Sequence, residues 1–133
     1  FRQWCWLPYE KTKRGVFRVG QCHFSHGFDA AVSSDELEGL QVIGSCGWVN
    51  HSLSVRGHTH RPVGPTQCKR TAKIPLPYWY ANVGTCGPLS PDWAKRKDTS
   101  QWQSAMLVVE CYWDKPSRLN GKCWDASLIR MPK

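Results

Sequence analysis

The chain has 133 residues, a formal charge of +8, eight Trp and seven Cys, which is the length of one domain and contains no apolar stretch long enough to span a bilayer. Leu, Ile, Val and Phe make up just under a fifth of it, a share that, with this charge, points towards disorder. Tryptophan burial and cysteine crosslinks are the means left for it to fold.

Taken in chain order, Val16 to Phe24 reads as a first strand. Ser33 and Glu36 stand at capping-box spacing and open a helix of one or two turns that Gly39 would end. Leu40 to Val49 reads as a strand interrupted by Gly44 and Gly47, which suit a bulge. Leu53 and Val55 then alternate with Ser52, Ser54 and Arg56, the pattern of a half-buried strand, and a loop from Pro62 to Pro65 follows. Ile74, Leu76, Tyr78 and Tyr80 share one face of a further segment, and Pro75 and Pro77 restrict it to an edge or irregular strand because proline cannot donate to a ladder. Pro91 to Lys95 reads as a second helical turn. Ala105 to Trp113 and Trp124 to Met131 are β-branched and aromatic, with turn chemistry between them at Asp114-Lys115-Pro116 and Asn120-Gly121, so 105–131 is predicted to be a β-hairpin. These elements predict a single all-β domain, a disulfide-stabilised antiparallel β-sandwich or barrel with at most one or two short helices.

The cysteines are Cys5, Cys22, Cys46, Cys68, Cys86, Cys111 and Cys123. No two lie within the few residues that a zinc site needs. Their even spread, about one per strand or turn, suits a disulfide framework in a secreted protein. The odd number leaves one sulfur unpaired or joined elsewhere, and spacing does not choose among the pairings. The chain opens at Phe1 with neither a basic nor an apolar leader segment, as expected of a mature secreted form. Asn50-His51-Ser52 would then be a usable glycosylation sequon at Asn50.

From Gly39 to Pro91 there is no carboxylate, while Arg56, Arg61, Lys69, Arg70 and Lys73 lie inside that stretch. Lys11, Lys13, Arg14 and Arg18 form a second basic group and Lys95, Arg96 and Lys97 a third. Folding could gather them into a surface that attracts sulfate, phosphate or anionic lipid. Tyr78-Trp79-Tyr80 near Lys73 supplies aromatic rings for stacking, although in such a domain aromatics chiefly fill the core.

His58 and His60 would point to one side of a strand, as a metal pair requires, but Arg56 and Arg61 bracket them with positive charge. No metal and no cofactor is expected. A metal-free ribonuclease needs a general base, a general acid and a cation. His23, His26, His58 or His60 with Arg61 or Lys69 contains such parts, with Glu110 as a further base. No G-x-S-x-G elbow occurs.

Leu107-Val108-Val109-Glu110, a polar turn, Cys123-Trp124-Asp125 and the apolar run to Met131 resemble the closing hairpin of the ML (MD-2-related lipid-recognition) family. The resemblance covers roughly the last 27 residues. It implies a secreted two-sheet sandwich with an apolar lipid cavity, a Cys5–Cys123 bridge and a later Cys68–Cys86 bridge. Cys46 and Cys111 are extra to that pattern, and the partner expected soon after Cys22 is missing. Candidate lining residues on the apolar faces are Trp48, Leu53, Val55, Leu76, Tyr78, Val108 and Trp124.

The function expected from these features is that of a secreted, non-enzymatic binding protein, of the kind released to engage a host molecule. Its expected partner is a host or extracellular protein, a lipid or an anionic glycan, in preference to nucleic acid. The competing expectation is a small secreted ribonuclease.

Overall fold

The computed structural model describes residues 15–27, 34–46, 50–68, 77–95, 98–112 and 121–132. Within them the protein is mostly β, with one short helix. The strands are β1 (Phe17–Val19), β2 (Cys22–Phe24), β3 (Ser52–Arg56), β4 (Val63–Gln67), β5 (Tyr78–Asn82), β6 (Ala105–Cys111) and β7 (Trp124–Arg130); the helix is α1 (Asp35–Cys46). Five strands form one sheet in the order β1-β2-β3-β5-β4, and β6 and β7 form a separate hairpin.

The expected all-antiparallel pairing holds for only part of this. The β1–β2, β4–β5 and β6–β7 pairs are antiparallel, but β2–β3 and β3–β5 are parallel. For β2–β3 the cause lies in residues 34–46: Leu40 to Cys46 is not a strand but continues α1, and the helix is the crossover between these two parallel strands. For β3–β5 the connection runs through β4, which pairs antiparallel on the outer side of β5, so β5 returns parallel to β3. Gly39 does not end it. Gly39 sits inside the helix where it crosses the sheet, and a Cβ there would lie 3.3 Å from Tyr80 Cβ and 3.4 Å from Ser54 Cβ. The glycine therefore sets the distance of closest approach between helix and sheet. Ser34 Oγ caps the helix by accepting from Leu37 N–H at 3.3 Å.

Two further local expectations change. Val16 to Phe24 is a tight hairpin rather than one strand. Val19 pairs with Cys22, and Gly20 takes the positive φ of 57° that so short a turn demands. Val63 to Gln67 is an edge strand, not a loop, and it accommodates Pro65 through a register shift between Val63 and Thr66. By contrast β5, expected as an edge or irregular strand, is interior, with β3 and β4 on either side. Ile74 and Leu76 lie outside the described residues.

The two faces of the large sheet are covered differently. Leu53, Val55, Ala81 and Cys22 form one core cluster with the hairpin's Trp124, and Leu107, Val109, Cys111 and Ala126 pack against it. On the other face Ile43 of α1 packs on Tyr78. Alternation in β3 thus sends Leu53 and Val55 to the hairpin and Ser52, Ser54 and Arg56 to the helix. All five β3 residues are buried, so the polar face expected to meet water is roofed by α1. Trp124 is fully buried; its Nε1–H donates to His51 O at 2.7 Å, and its ring meets Trp79 edge-on at 5.6 Å. Of the hairpin predicted over 105–131, the two strands pair antiparallel as expected, with seven paired positions from Ala105↔Arg130 to Cys111↔Trp124; the predicted turn at Asp114-Lys115-Pro116 and Asn120 lies outside the described residues.

Candidate functional site

Strands β2, β3 and β5 run in the same direction, so Phe24, Arg56 and Asn82 bring their carboxyl ends to one edge of the domain. The first turn of α1 lies at the same edge. In α/β folds this is where ligands are commonly held, because the loops leaving the strands carry variable side chains on a rigid base.

The base here is charged. Arg56, 3 % exposed, pairs with Asp35 and with the 1 % exposed Glu38. Asn82, fully buried, donates from Nδ2 to Asp35 at 2.9 Å and to Thr59 Oγ1 at 2.7 Å, and its Oδ1 accepts from Gly84 N–H. Arg56 was expected on a basic surface. It is instead an internal post, because its β3 position turns it beneath the acidic first turn of α1. Thr59 and Gly84 belong to the loops after β3 and β5, so the cluster fixes both loops.

On one side of the 57–60 turn, His58 meets His26 from the loop after β2, with ring centroids 5.2 Å apart. Gly27 is buried between Glu38 and His58: a Cβ on it would fall 2.4 Å from His58 Cβ and 3.2 Å from Glu38 Oε1. On the other side, His60 meets Trp102 edge-on at 4.3 Å and Trp93 at 6.3 Å, and the two indoles are 5.6 Å apart. Trp102 is 8 % exposed and Trp93 64 % exposed. His60 has a positive φ of 58° and its carbonyl accepts from Gln103 N–H, which locks the turn against the Trp102 segment. Trp93 stands on a 3₁₀ turn, Asp92–Ala94, where a helical turn was expected.

Cations border this aromatic group. Arg61 is exposed beside His60, and Arg130 donates to Pro62 O and to Gln103 Oε1, both at 3.1 Å. Lys95 pairs with Asp92 on the surface. Asp98 accepts from Ser100 N–H at 2.9 Å. Hydrogen bonding from Ser100 holds its carboxyl below the ordinary pKa, with Arg61 adding to the effect.

The other sequence candidates are dispersed. Leu53, Val55 and Trp124 belong to the core under the hairpin, Tyr78 lies on the helix side, and Val108 is 42 % exposed on the hairpin's outer face. These positions do not surround one space. Trp48 and Leu76, like Lys69, Arg70 and Lys73, lie outside the described residues. His23 is buried on β2, and Glu110 is exposed on the outer face of β6 beside Asp125. Asn50 is exposed at the turn into β3.

Among the described residues no cysteine pair is at bonding distance. Cys68 N–H bonds Tyr78 O at one end of β5, while Cys86 follows the other end. The Cys68–Cys86 bridge that the family resemblance implies is not formed. Cys68 Sγ instead donates to Glu36 Oε1 at 2.7 Å. Cys5 lies outside the described residues, as does any view of the expected Cys5–Cys123 bridge, and Cys46 lies in α1. Among the described residues no group of three or more His, Cys, Asp or Glu is placed to hold a metal ion, and no helix is long and apolar enough to cross a membrane.

No family model, curated protein or solved structure matches the chain. Sequence reasoning named His26, His58 and His60 without their neighbours. It missed Trp93, Trp102, Asp35, Glu38 and Asn82, which come from four separate segments with no shared spacing.

Proposed function

We propose that the protein is an extracellular, non-enzymatic binding protein that holds an anionic glycan across the face formed by Trp93, His60 and Trp102. The observation that carries this reading is Trp93, an indole 64 % exposed yet braced by two other rings. Leaving so large an apolar ring in water has a cost, and rigid exposed tryptophans are a recurrent means of gripping a partner. A sugar presents a C–H face that stacks on an indole, and its sulfate or carboxylate groups would meet Arg61, Lys95 and Arg130. The net charge of +8 would steer such a ligand to the surface. The cysteine content supports a secreted, oxidising setting. The disulfide framework expected from sequence is part of this proposal, as is a sandwich-like arrangement of the two sheets.

Chromatography on immobilised heparin tests it, with tryptophan fluorescence followed as heparin oligosaccharide is added. Retention that weakens steeply with salt, together with an emission change, is the expected result. Elution in the flow-through at low salt would overturn it.

The His26–His58 contact at 5.2 Å favours a second reading, ribonuclease chemistry, because two imidazoles at one loop edge could share the acid and base roles. RNA incubated with the protein and with the His26→Ala, His58→Ala double variant separates the two readings. Cleavage by the parent alone would favour the enzyme, and equal inertness the binding protein.

A further inference from the structure

We propose that Cys22 and Cys111 form a disulfide that fastens the five-stranded sheet to the β6–β7 hairpin. The proposal rests on the extracellular setting only for where the bond forms, and on geometry for which cysteines form it. The two sulfurs are 3.8 Å apart although the residues are 89 positions apart in sequence. Cys22 lies at the start of β2, fully buried in the core cluster, and Cys111 closes β6 and packs on that same cluster. Cys111 Sγ also lies 4.0 Å from Val19 O, so it sits over the turn of the β1–β2 hairpin.

A disulfide brings two sulfurs to about 2.05 Å, and the remaining distance is within the reach of side-chain rotation. Neither residue needs a change of strand or register. None of the other described cysteines has this relationship. Cys68 bonds Glu36, Cys86 is exposed, and Cys123 Sγ faces Gly121 O at 3.8 Å.

The chemistry is two thiol–disulfide exchanges with a small-molecule disulfide such as oxidised glutathione. The Cys111 thiolate, on the more accessible side, attacks one glutathione sulfur. Its S–S bond breaks, the first glutathione thiolate departs and takes up the proton that Cys111 released. The Cys22 thiolate then attacks the Cys111 sulfur, and the second glutathione leaves with the proton from Cys22. Two cysteine thiols are oxidised and one disulfide is reduced to two thiols. In the reduced protein, burial and the neighbouring Cys111 push the Cys22 thiol well above its ordinary pKa, so the fully buried Cys22 is the poorer nucleophile towards an external disulfide.

The test is peptide mapping after refolding in a glutathione redox buffer, with alkylation under denaturing, non-reducing conditions. The expected result is one crosslinked species containing the Cys22 and Cys111 peptides, lighter by two hydrogens than their sum. In Cys111→Ala, a variant away from the fully buried sulfur, Cys22 should be recovered as an alkylated thiol. Recovery of both wild-type residues as alkylated thiols, or either one joined to another cysteine, would overturn the pairing. The same map on protein from its natural source tests the setting separately: the pair forming in buffer but absent there would overturn the extracellular reading and leave the pairing standing.

Discussion

Arg56 at the end of β3 and Glu38 in α1 form an ion pair almost closed to water, with side chains 3 % and 1 % exposed. Asp35 shares the guanidinium, so one cation holds the first turn of the helix to the sheet. Removing one partner of such a pair strands the other charge in a medium that solvates it poorly. Arg56→Met is expected to cost about 3–5 kcal/mol. Adding Asp35→Asn and Glu38→Met should return most of that loss. Urea denaturation measures both, and a loss below about 1 kcal/mol for the single substitution would show that the pair does not hold the helix.

Gly27→Ala tests how tightly the loop after β2 is seated. Its φ of +122° and the 2.4 Å approach to His58 Cβ leave no room for a methyl group. The expected destabilisation is about 2–3 kcal/mol. Gly87→Ala, whose nearest contact would be an ordinary 3.5 Å from Thr85 Oγ1, should stay within about 0.5 kcal/mol of the parent. Thermal melting of the two variants distinguishes a seated loop from a loose one.

Much of the β content was legible in sequence because its signals are local. Leu53 and Val55 alternate with polar residues, and the turn chemistry after Trp113 marks the 105–131 hairpin. The helix was misread because Gly39 and Gly44 look like breakers. At Gly39 the missing side chain serves packing against Tyr80 and Ser54, and that need arises only when distant segments meet. The site was partly legible: histidines can be counted, but the approach of Trp93 and Trp102 to His60 depends on three loops converging. Arg56 was placed on the surface because the carboxylates that internalise it come from a helix about twenty positions earlier in the chain.

His23 gives the fold a pH dependence of definite sign. Burial, reinforced by Arg18 directly across the β1–β2 ladder, lowers its pKa, so the native state favours the neutral ring. The unfolded chain takes up the proton near pH ~6.5. The stabilisation is therefore complete above that value and is lost as pH falls through the lower folded pKa. Between about pH 7 and about pH 5 the parent should lose stability more steeply than His23→Gln. Parallel denaturation curves at the two pH values for both proteins would contradict this.

Glu110 and Asp125 are directly opposed on the outer face of the hairpin, and like charges facing each other across a ladder repel. Asp125→Lys replaces repulsion by attraction and is expected to add about 0.5 kcal/mol. The gain should shrink in high salt. A salt-independent change would trace to packing rather than charge.

Titration calorimetry of a sulfated oligosaccharide into the parent and Trp93→Ala, at matched ionic strength, addresses the binding face most directly. Trp93 is exposed enough that its removal should leave the melting temperature unchanged. The expected result is measurable binding to the parent and an affinity at least about tenfold weaker in Trp93→Ala. Equal affinity of the two proteins, or no heat of binding with the parent, would contradict the assignment.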